Sequence, residues 1–345
     1  MAGSKTIAIV ILNWNGEKLF ENYLPSIIEH SAKSGAEIIV ADNASTDQSV
    51  KLLNEKFPGI KIIQLESNFG FAEGYNRALQ HVDADFYILA NSDIMVTENW
   101  IEPCINKFEA DNNVVAIQPK ILSYNEPDQF EYAGAAGGFI DKFGYPFCRG
   151  RVLNRVEKDQ GQYNIPGSIF WASGACMFIR AEAFKNAGGF DGDFWAHMEE
   201  IDLCWRLKSK GYKIWYEPQS VVYHLGGGTL SYGSPRKIYL NFRNNLFMLF
   251  KNLPPYQFKR IFLLRMLLDG IAAIKFIAGF NFREFWAVIK AHASFYRNLK
   301  KLRKKRKEVQ HQVLVKDHPE IYPKSIMWKF FIQGKSNFSS YNFNP

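Results

Sequence analysis

The stretch HMEEIDLCWRL, residues 197–207, crowds three carboxylates, Glu199, Glu200 and Asp202, into four positions. Carboxylates this close repel unless something positive or reactive sits among them. The repulsion lifts the pKa of one of them, and a carboxylate with a raised pKa suits general-base work. Asp202 reads differently from its two neighbours. If residues 199–211 form a helix, Asp202 and Arg206 stand at i and i+4 and pair. Leu203 and Leu207 then share a buried face, and acids in the first turn suit the helix dipole.

The elements that would carry such a site are legible in the front half. TIAIVIL (6–12), EIIVAD (37–42), IKIIQL (60–65) and DFYILA (85–90) are short apolar runs of strand type. Between them EKLFENYLPSIIEH has helical spacing, Ser45 stands as the N-cap of a second helix ending near Pro58–Gly59, and GFAEGYNRALQHV reads as a third. Strands alternating with helices pair in parallel and build an open α/β sheet. Ligands bind such sheets beyond the carboxyl ends of the strands. Those ends carry Asn13, Trp14 and Asn15, then Asp42, Asn43 and Ser45, then Asn68, then Asn91 and Asp93. No GxxxxGK[ST] run is present, and the glycines of NFGFAEGYN have the wrong spacing for a dinucleotide fingerprint.

The chain has 345 residues and a net charge of +8, unevenly spread. Residues 236–311 carry +15, the tail 312–345 carries +2, and residues 1–235 carry −9. A rear this basic faces an anionic partner, a membrane surface or a nucleic acid. RIFLLRMLLDGIAAIKFIAGF (260–280) is interrupted by Arg265, Asp269 and Lys275 too often for a span of ~20 uncharged residues. An interfacial amphipathic helix with a basic rim fits better, and RNLKKLRKKRKE (297–308) adds a polybasic patch. No RRM, KH or zinc pattern supports nucleic acid, so none is expected as a partner. Cys104, Cys148, Cys176 and Cys204 form no close pair, which points to a reducing compartment. The first apolar run reads as a strand and not a signal peptide.

VILNWNG (10–16), VADNASTDQS (40–49), NFGFAEGYNRAL (68–79), LANSD (89–93), GACMFIR (174–180), GGFDGDF (188–194) and the stretch 197–229 come in the order seen in glycosyltransferase family 2. The chain resembles its bacterial rhamnosyltransferase-type members over about residues 5–245. The resemblance implies a GT-A fold: a mostly parallel open sheet flanked by helices over 1–235. A basic amphipathic helical region (236–311) and a polar, aromatic tail (312–345) follow. It implies an inverting, metal-dependent sugar transfer from a UDP- or dTDP-linked nucleotide sugar. The acceptor is a glycan or polyprenyl-linked hydroxyl in cell-surface polysaccharide synthesis. The enzyme would be cytoplasmic and held peripherally on the inner, anionic face of the plasma membrane.

By the same resemblance, Asp93 and His224 bind the cation, Mn²⁺ or Mg²⁺, with imidazole favouring Mn²⁺. Asn91 stands where the family has the first Asp of Asp-x-Asp, which removes one negative charge. That loss motivates a second reading, a member that binds nucleotide sugar but turns over slowly. Asp42 contacts the donor's pyrimidine, with Asn13, Asn15, Asn68 and Asn91 lining the same pocket. Gly226, Gly227 and Gly228 let the backbone approach phosphates. Glu200 is the base, with Glu199 beside it and the choice between them open. Asp191, Trp171, Trp195 and Trp215 are candidates for acceptor or sugar contact, and Arg243 for phosphate.

Overall fold

The computed structural model describes residues 5–226 and 233–343. Four strands run parallel at one side of a nine-stranded sheet: β1 (Ile7–Asn13), β2 (Glu37–Asp42), β3 (Lys61–Gln64) and β4 (Phe86–Asn91). β5 (Ile94–Val96) and β6 (Val114–Ser123) follow, then β12 (Cys176–Arg180) and β13 (Lys213–His224). The order is β11-β13-β6-β12-β4-β1-β2-β3, where β11 is Gly167–Ile169. β12 enters between β4 and β6 antiparallel to both, and β13 runs parallel to β6.

The two faces of the sheet are read off by alternation. Ala8 and Val10 belong to one core; Ile9 and Ile11 belong to the other. All four are fully buried, as strands covered on both faces must be. One face is covered by helices α1 (Glu17–Ser31), α2 (Ser49–Lys56) and α4 (Glu102–Ala110). The other is covered by α3 (Gly70–Ala78), α5 (Ala181–Asn186) and α6 (Glu199–Ser209).

On that second face sits a smaller sheet of β7 (Gly138–Asp141), β8 (Pro146–Cys148), β9 (Arg151–Val152), β10 (Arg155–Val156) and β14 (Ile321–Tyr322). β14 comes from the tail and pairs parallel with β7. Phe338, Tyr341 and Phe343 then pack on Phe139 and Phe147, with ring centroids 5.5 to 6.2 Å apart. The tail, in which the sequence shows no motif, is thus a wall of the second core.

The basic rear folds into α7 (Pro235–Asn252), α8 (Pro255–Ala278), α9 (Phe282–Arg297) and α10 (Leu299–His311), with α11 (Ile326–Phe331) in the tail. α7 joins this bundle to the front half. Lys251 of α7 reaches Asp202 of α6 at 2.9 Å, and Asp202 also takes Arg206 at 2.9 Å and the Asn252 amide at 2.8 Å.

Two sequence expectations are corrected here. Ser45 does not cap α2, which begins at Ser49. Its hydroxyl instead accepts from the Asn13 amide and the Asn15 backbone N–H, while the Asp47 carboxylate takes the Ser49 N–H. Arg265 and Asp269 are not rim charges. They are buried and paired at 2.8 Å, and Asn245 and His292 complete the knot. Burial this deep requires a partner for each charge.

Phe338 is 5 % exposed and touches four aromatic rings. Phe338→Ala should cost about 3 kcal/mol, the low end for a buried Phe. Urea unfolding reads this directly. An unchanged midpoint would mean that the tail does not contribute to the fold.

Candidate active site

β1, β2 and β4 end side by side, with Asn13 opposite Asp42 and Leu12 opposite Asn91 in register. β13 returns so that His224 pairs with Ile94, the residue after Asp93. A cavity of about 550 Å³ opens at these ends. Asn13, Asn15, Asn68, Asn91, Asp93, His224, Trp171, Trp195, Glu199 and Glu200 all line it.

Of the sequence-derived candidates, Asp42, Asp191, Trp215 and Arg243 do not line it. The Asp42 carboxylate is tied inward, accepting from the Asn13 amide at 3.0 Å and the Ser45 backbone N–H at 3.0 Å. Asp191 faces a different cleft, where Lys251 and Lys305 hold its carboxylate. Those two cations draw it well below the ordinary carboxylate range, although burial acts the other way. Trp215 lies under Lys107, 4.0 Å from its ammonium. Gly226 has φ +70°; Gly227 and Gly228 lie outside the described residues.

Arg243 serves a loop instead of a phosphate. Its Nη2 donates to the carbonyls of Asp193 at 2.9 Å and Phe194 at 2.8 Å. Next to it the fully buried Asn244 amide donates to the carbonyls of Phe194, Ala196 and His197 at 2.9, 2.8 and 2.7 Å. The loop needs such holding. Trp195, His197 and Met198 all have positive φ (64°, 70° and 73°), and none is glycine. Trp195 is the centre of a γ-turn closed by the Ala196 N–H on the Phe194 carbonyl at 2.8 Å. Residues in such regions cost of order 1–3 kcal/mol each. The Trp195 carbonyl also accepts the free N–H groups of Phe71 and Ala72 at the start of α3. Met198 is the N-cap of α6, so the clamped loop sets where Glu199 and Glu200 stand.

The two glutamates differ in environment. Glu199 is 3 % exposed; Glu200 is more open to the cavity. Burial, then the charge of Glu200, pushes the Glu199 carboxyl well up. Burial pushes Glu200 up to about 7, against the pull of the backbone N–H groups at the helix start. Each has one carboxyl oxygen that is buried and without a partner.

His224 Nε2 lies 3.1 Å from Asp93 Oδ1 and 3.3 Å from the Asn91 amide nitrogen. Its Nδ1 lies 3.3 Å from Glu131 Oε2, close enough for ion pairing but without hydrogen-bond alignment. The flanking carboxylates of Asp93 and Glu131 outweigh burial and raise the imidazole to about 10. The same contact draws Asp93 down. Asp93 Oδ1 and His224 Nε2 are a suitable pair of cation ligands; Glu131 acts on the other ring nitrogen, as outer partners of ligating histidines do. Among the described residues no three acidic, His or Cys side chains converge on one point. A cation here would draw its remaining ligands from water or substrate oxygens.

Glu131 escapes sequence reading, because QFEYAGAAGG carries no pattern that marks it. Tyr132, Arg151, Lys237 and Asn241 also line the cavity unforeseen. Trp195 lies beneath Arg236, 4.3 Å from ring centre to guanidinium. A Cβ at Gly70 would fall 2.6 Å from its indole, so this close approach needs glycine.

The mostly α/β architecture has solved counterparts. A Staphylococcus aureus TarS fragment, residues 1–349 with UDP-GlcNAc, superimposes with TM-score 0.54 at 16% identity over 88% of this chain and 89% of that one. GalNAc-T7, solved with UDP, GalNAc and Mn²⁺, gives 0.57 at 19% identity, over 71% of this chain and about half (48%) of that one. Among sequences, the N-acetylglucosaminyl-diphospho-decaprenol L-rhamnosyltransferase of Mycobacterium tuberculosis is 24% identical over 236 residues, 63% of this chain and 75% of its own. Rhamnosyltransferase WbbL of Escherichia coli is 23% identical over 214 residues, 59% and 79%. The profile of glycosyl transferase family 2 matches residues 8–188, just over half of the sequence. The GT-A sheet, its polar strand ends and this match agree: the chain belongs to glycosyltransferase family 2.

Proposed function

We propose that the chain transfers a sugar, with inversion, from a UDP- or dTDP-linked donor to a hydroxyl of a glycan or polyprenyl-linked acceptor. The observation that carries this is one cavity holding both the Asp93–His224 pair and a glutamate, Glu200, whose pKa is raised to about 7. The name of the mycobacterial relative supports the lipid-linked acceptor.

Sugar transfer leaves negative charge on the departing diphosphate. A divalent cation held by Asp93 and His224 would neutralise that charge as a Lewis acid. Asn91, where an Asp would bring a charge, brings none, so a cation held there would rely more on the phosphates. Asn13, Asn15 and Asn68 line the strand-end wall where the nucleotide would lie. Glu200 takes the acceptor's proton as the hydroxyl oxygen attacks the anomeric carbon from the side away from the diphosphate. Glu199, more enclosed and pushed well up by burial, leaves that role to its neighbour. Asn244 and Arg243 keep the loop before them in its costly conformation, so that Glu200 is placed before substrate arrives.

We place this reaction at an anionic membrane surface. α8 exposes Leu267, Ile271 and Ile274, and Phe280 follows at 81 % exposure. The outward side of α10 presents Lys300, Arg303, Lys304 and Lys307. Among the described residues no helix is long and apolar enough to cross a membrane. An apolar ridge with a basic helix nearby suits lying on the headgroup boundary.

Glu200→Gln should lower the transfer rate by 10²–10⁴-fold, the usual worth of a general base, with donor affinity within twofold of the parent chain. Its folded pKa lies above the ordinary 4.5, so the folded state holds the extra proton and stability falls as pH rises from about 4.5 to 7. The same variant should therefore melt higher than the parent at pH 8 and no higher at pH 4. Full transfer by Glu200→Gln would remove the base assignment.

Asn244→Ala frees the Ala196 and His197 carbonyls and leaves Phe194 to Arg243 alone, each lost hydrogen bond worth about 1 kcal/mol. It should reduce kcat at least tenfold while leaving the donor KM within twofold. A loss confined to melting temperature, with kcat intact, would show that the clamp supports the fold and not the base.

A further inference from the structure

We infer that Arg151 recognises a phosphate on the acceptor, beside the sugar hydroxyl that is extended. The inference rests on the transfer reading above and deepens it at the acceptor end. Five Lys and Arg side chains of the described residues are buried: Lys120, Arg151, Lys208, Lys251 and Arg265. Four have a carboxylate within 3 Å: Asp159, Glu320, the pair Asp191 and Asp202, and Asp269 respectively. Arg151, 5 % exposed, has no salt bridge among the described residues. Its Nε donates to the Tyr132 carbonyl at 3.0 Å and its Nη1 to the Pro146 carbonyl at 3.3 Å. Its Nη2 reaches the Cys148 sulfur at 3.2 Å. All three acceptors are neutral, and the Glu131 carboxylate acts on the guanidinium only from beyond ion-pairing distance.

A guanidinium has five N–H donors, and three of these are used. Buried charges are normally paired, because leaving water is costly for an ion without a counter-charge. Arg151 lines the catalytic cavity, so the missing counter-ion can arrive with substrate. The two remaining N–H groups, both on the Nη atoms, suit phosphate oxygens, which guanidinium binds more specifically than ammonium does.

Position selects the acceptor over the donor. Arg151 stands on β9 in the second sheet, away from the strand ends that carry Asn13, Asn15 and Asn68. Its sulfur partner Cys148 is raised by burial and also feels the charges of Glu131 and Glu200. Arg151 and the proposed base thus line one cavity. A hydroxyl delivered to Glu200 on a sugar with a nearby phosphate would carry that phosphate past Arg151. The required partner is a glycosyl phosphate or diphosphate, and a neutral glycoside lacks the group that is read.

The test compares two acceptors that share one sugar and one short alkyl chain. One is N-acetylglucosaminyl diphosphate on that chain; the other is the neutral alkyl N-acetylglucosaminide. The unaltered chain should use the diphosphate with at least tenfold higher kcat/KM. Arg151→Gln should lose that preference, Arg151→Lys should keep part of it, and the donor KM should stay within twofold throughout. Calorimetry with UDP and Mn²⁺ present measures diphosphate binding without turnover, and Arg151→Gln should bind at least tenfold more weakly. Equal use of both acceptors by the parent chain, or undiminished diphosphate binding by Arg151→Gln, would overturn the inference. So would a rise in donor KM in place of acceptor KM. Normal Arg151-dependent binding without any transfer would count against the transfer reading and leave Arg151 standing.

Discussion

The backbone from Phe194 to Met198 passes through three positive-φ residues with side chains, and it stays there because α7 holds its carbonyls. The Asn244 amide reaches three of them, and Arg243 adds a second grip at Phe194. Almost everything proposed for the site hangs on this contact. The loop fixes the first residue of α6, and α6 carries Glu199 and Glu200. Asp202, one turn further on, is tied back to α7 through Lys251 and Asn252. The helical rear is therefore part of the machinery that places the front half's acids. Lys301 and Lys305 of the polybasic α10 extend the grip to Asp191 and Asp193 in the same loop. Part of the basic charge is thus used inside the molecule, and the remainder stays exposed on the outer side, where the proposed anionic surface would lie.

The cavity divides its ionisable groups by environment. Two adjacent glutamates start one helix, yet burial pushes the more enclosed one well up and leaves the more open one near 7. His224, flanked by Asp93 and Glu131, keeps its positive charge far above the usual range. A cation bound at Asp93 and Nε2 would replace that proton and leave Glu131 to orient the ring. Among the described residues Arg151 is the buried Lys or Arg without a carboxylate at ion-pairing distance, which is why the proposed acceptor is anionic.

Much of this was legible from residue patterns. Alternating apolar runs gave the parallel strands, because period and length distinguish a doubly covered strand from a helix. The strand-end rule located Asn13, Asn15, Asn68, Asn91 and Asp93 on the cavity. It also nominated Asp42, whose carboxylate turns inward; a strand end marks the place, and side-chain direction is decided by neighbours such as Asn13. Motif resemblance nominated Arg243 for phosphate, but no local pattern shows that Arg243 and Asn244 would reach a loop 50 residues earlier. Arg265 and Asp269 looked like charges on a helix rim because a single helix cannot reveal the bundle that buries them. Glu131 and Arg151 lie in segments without periodicity, and only the tertiary packing brings them to the cavity.

The rate of sugar transfer against pH, under saturating donor and Mn²⁺, tests the central claim most directly. A base at Glu200 must be ionised to work, and burial holds its pKa at about 7. The account predicts a rate that is high above pH 7 and falls tenfold per unit below it, with an apparent pKa near 7. A profile flat from pH 5 to 8, or one whose acid limb persists unchanged in Glu200→Gln, would contradict it.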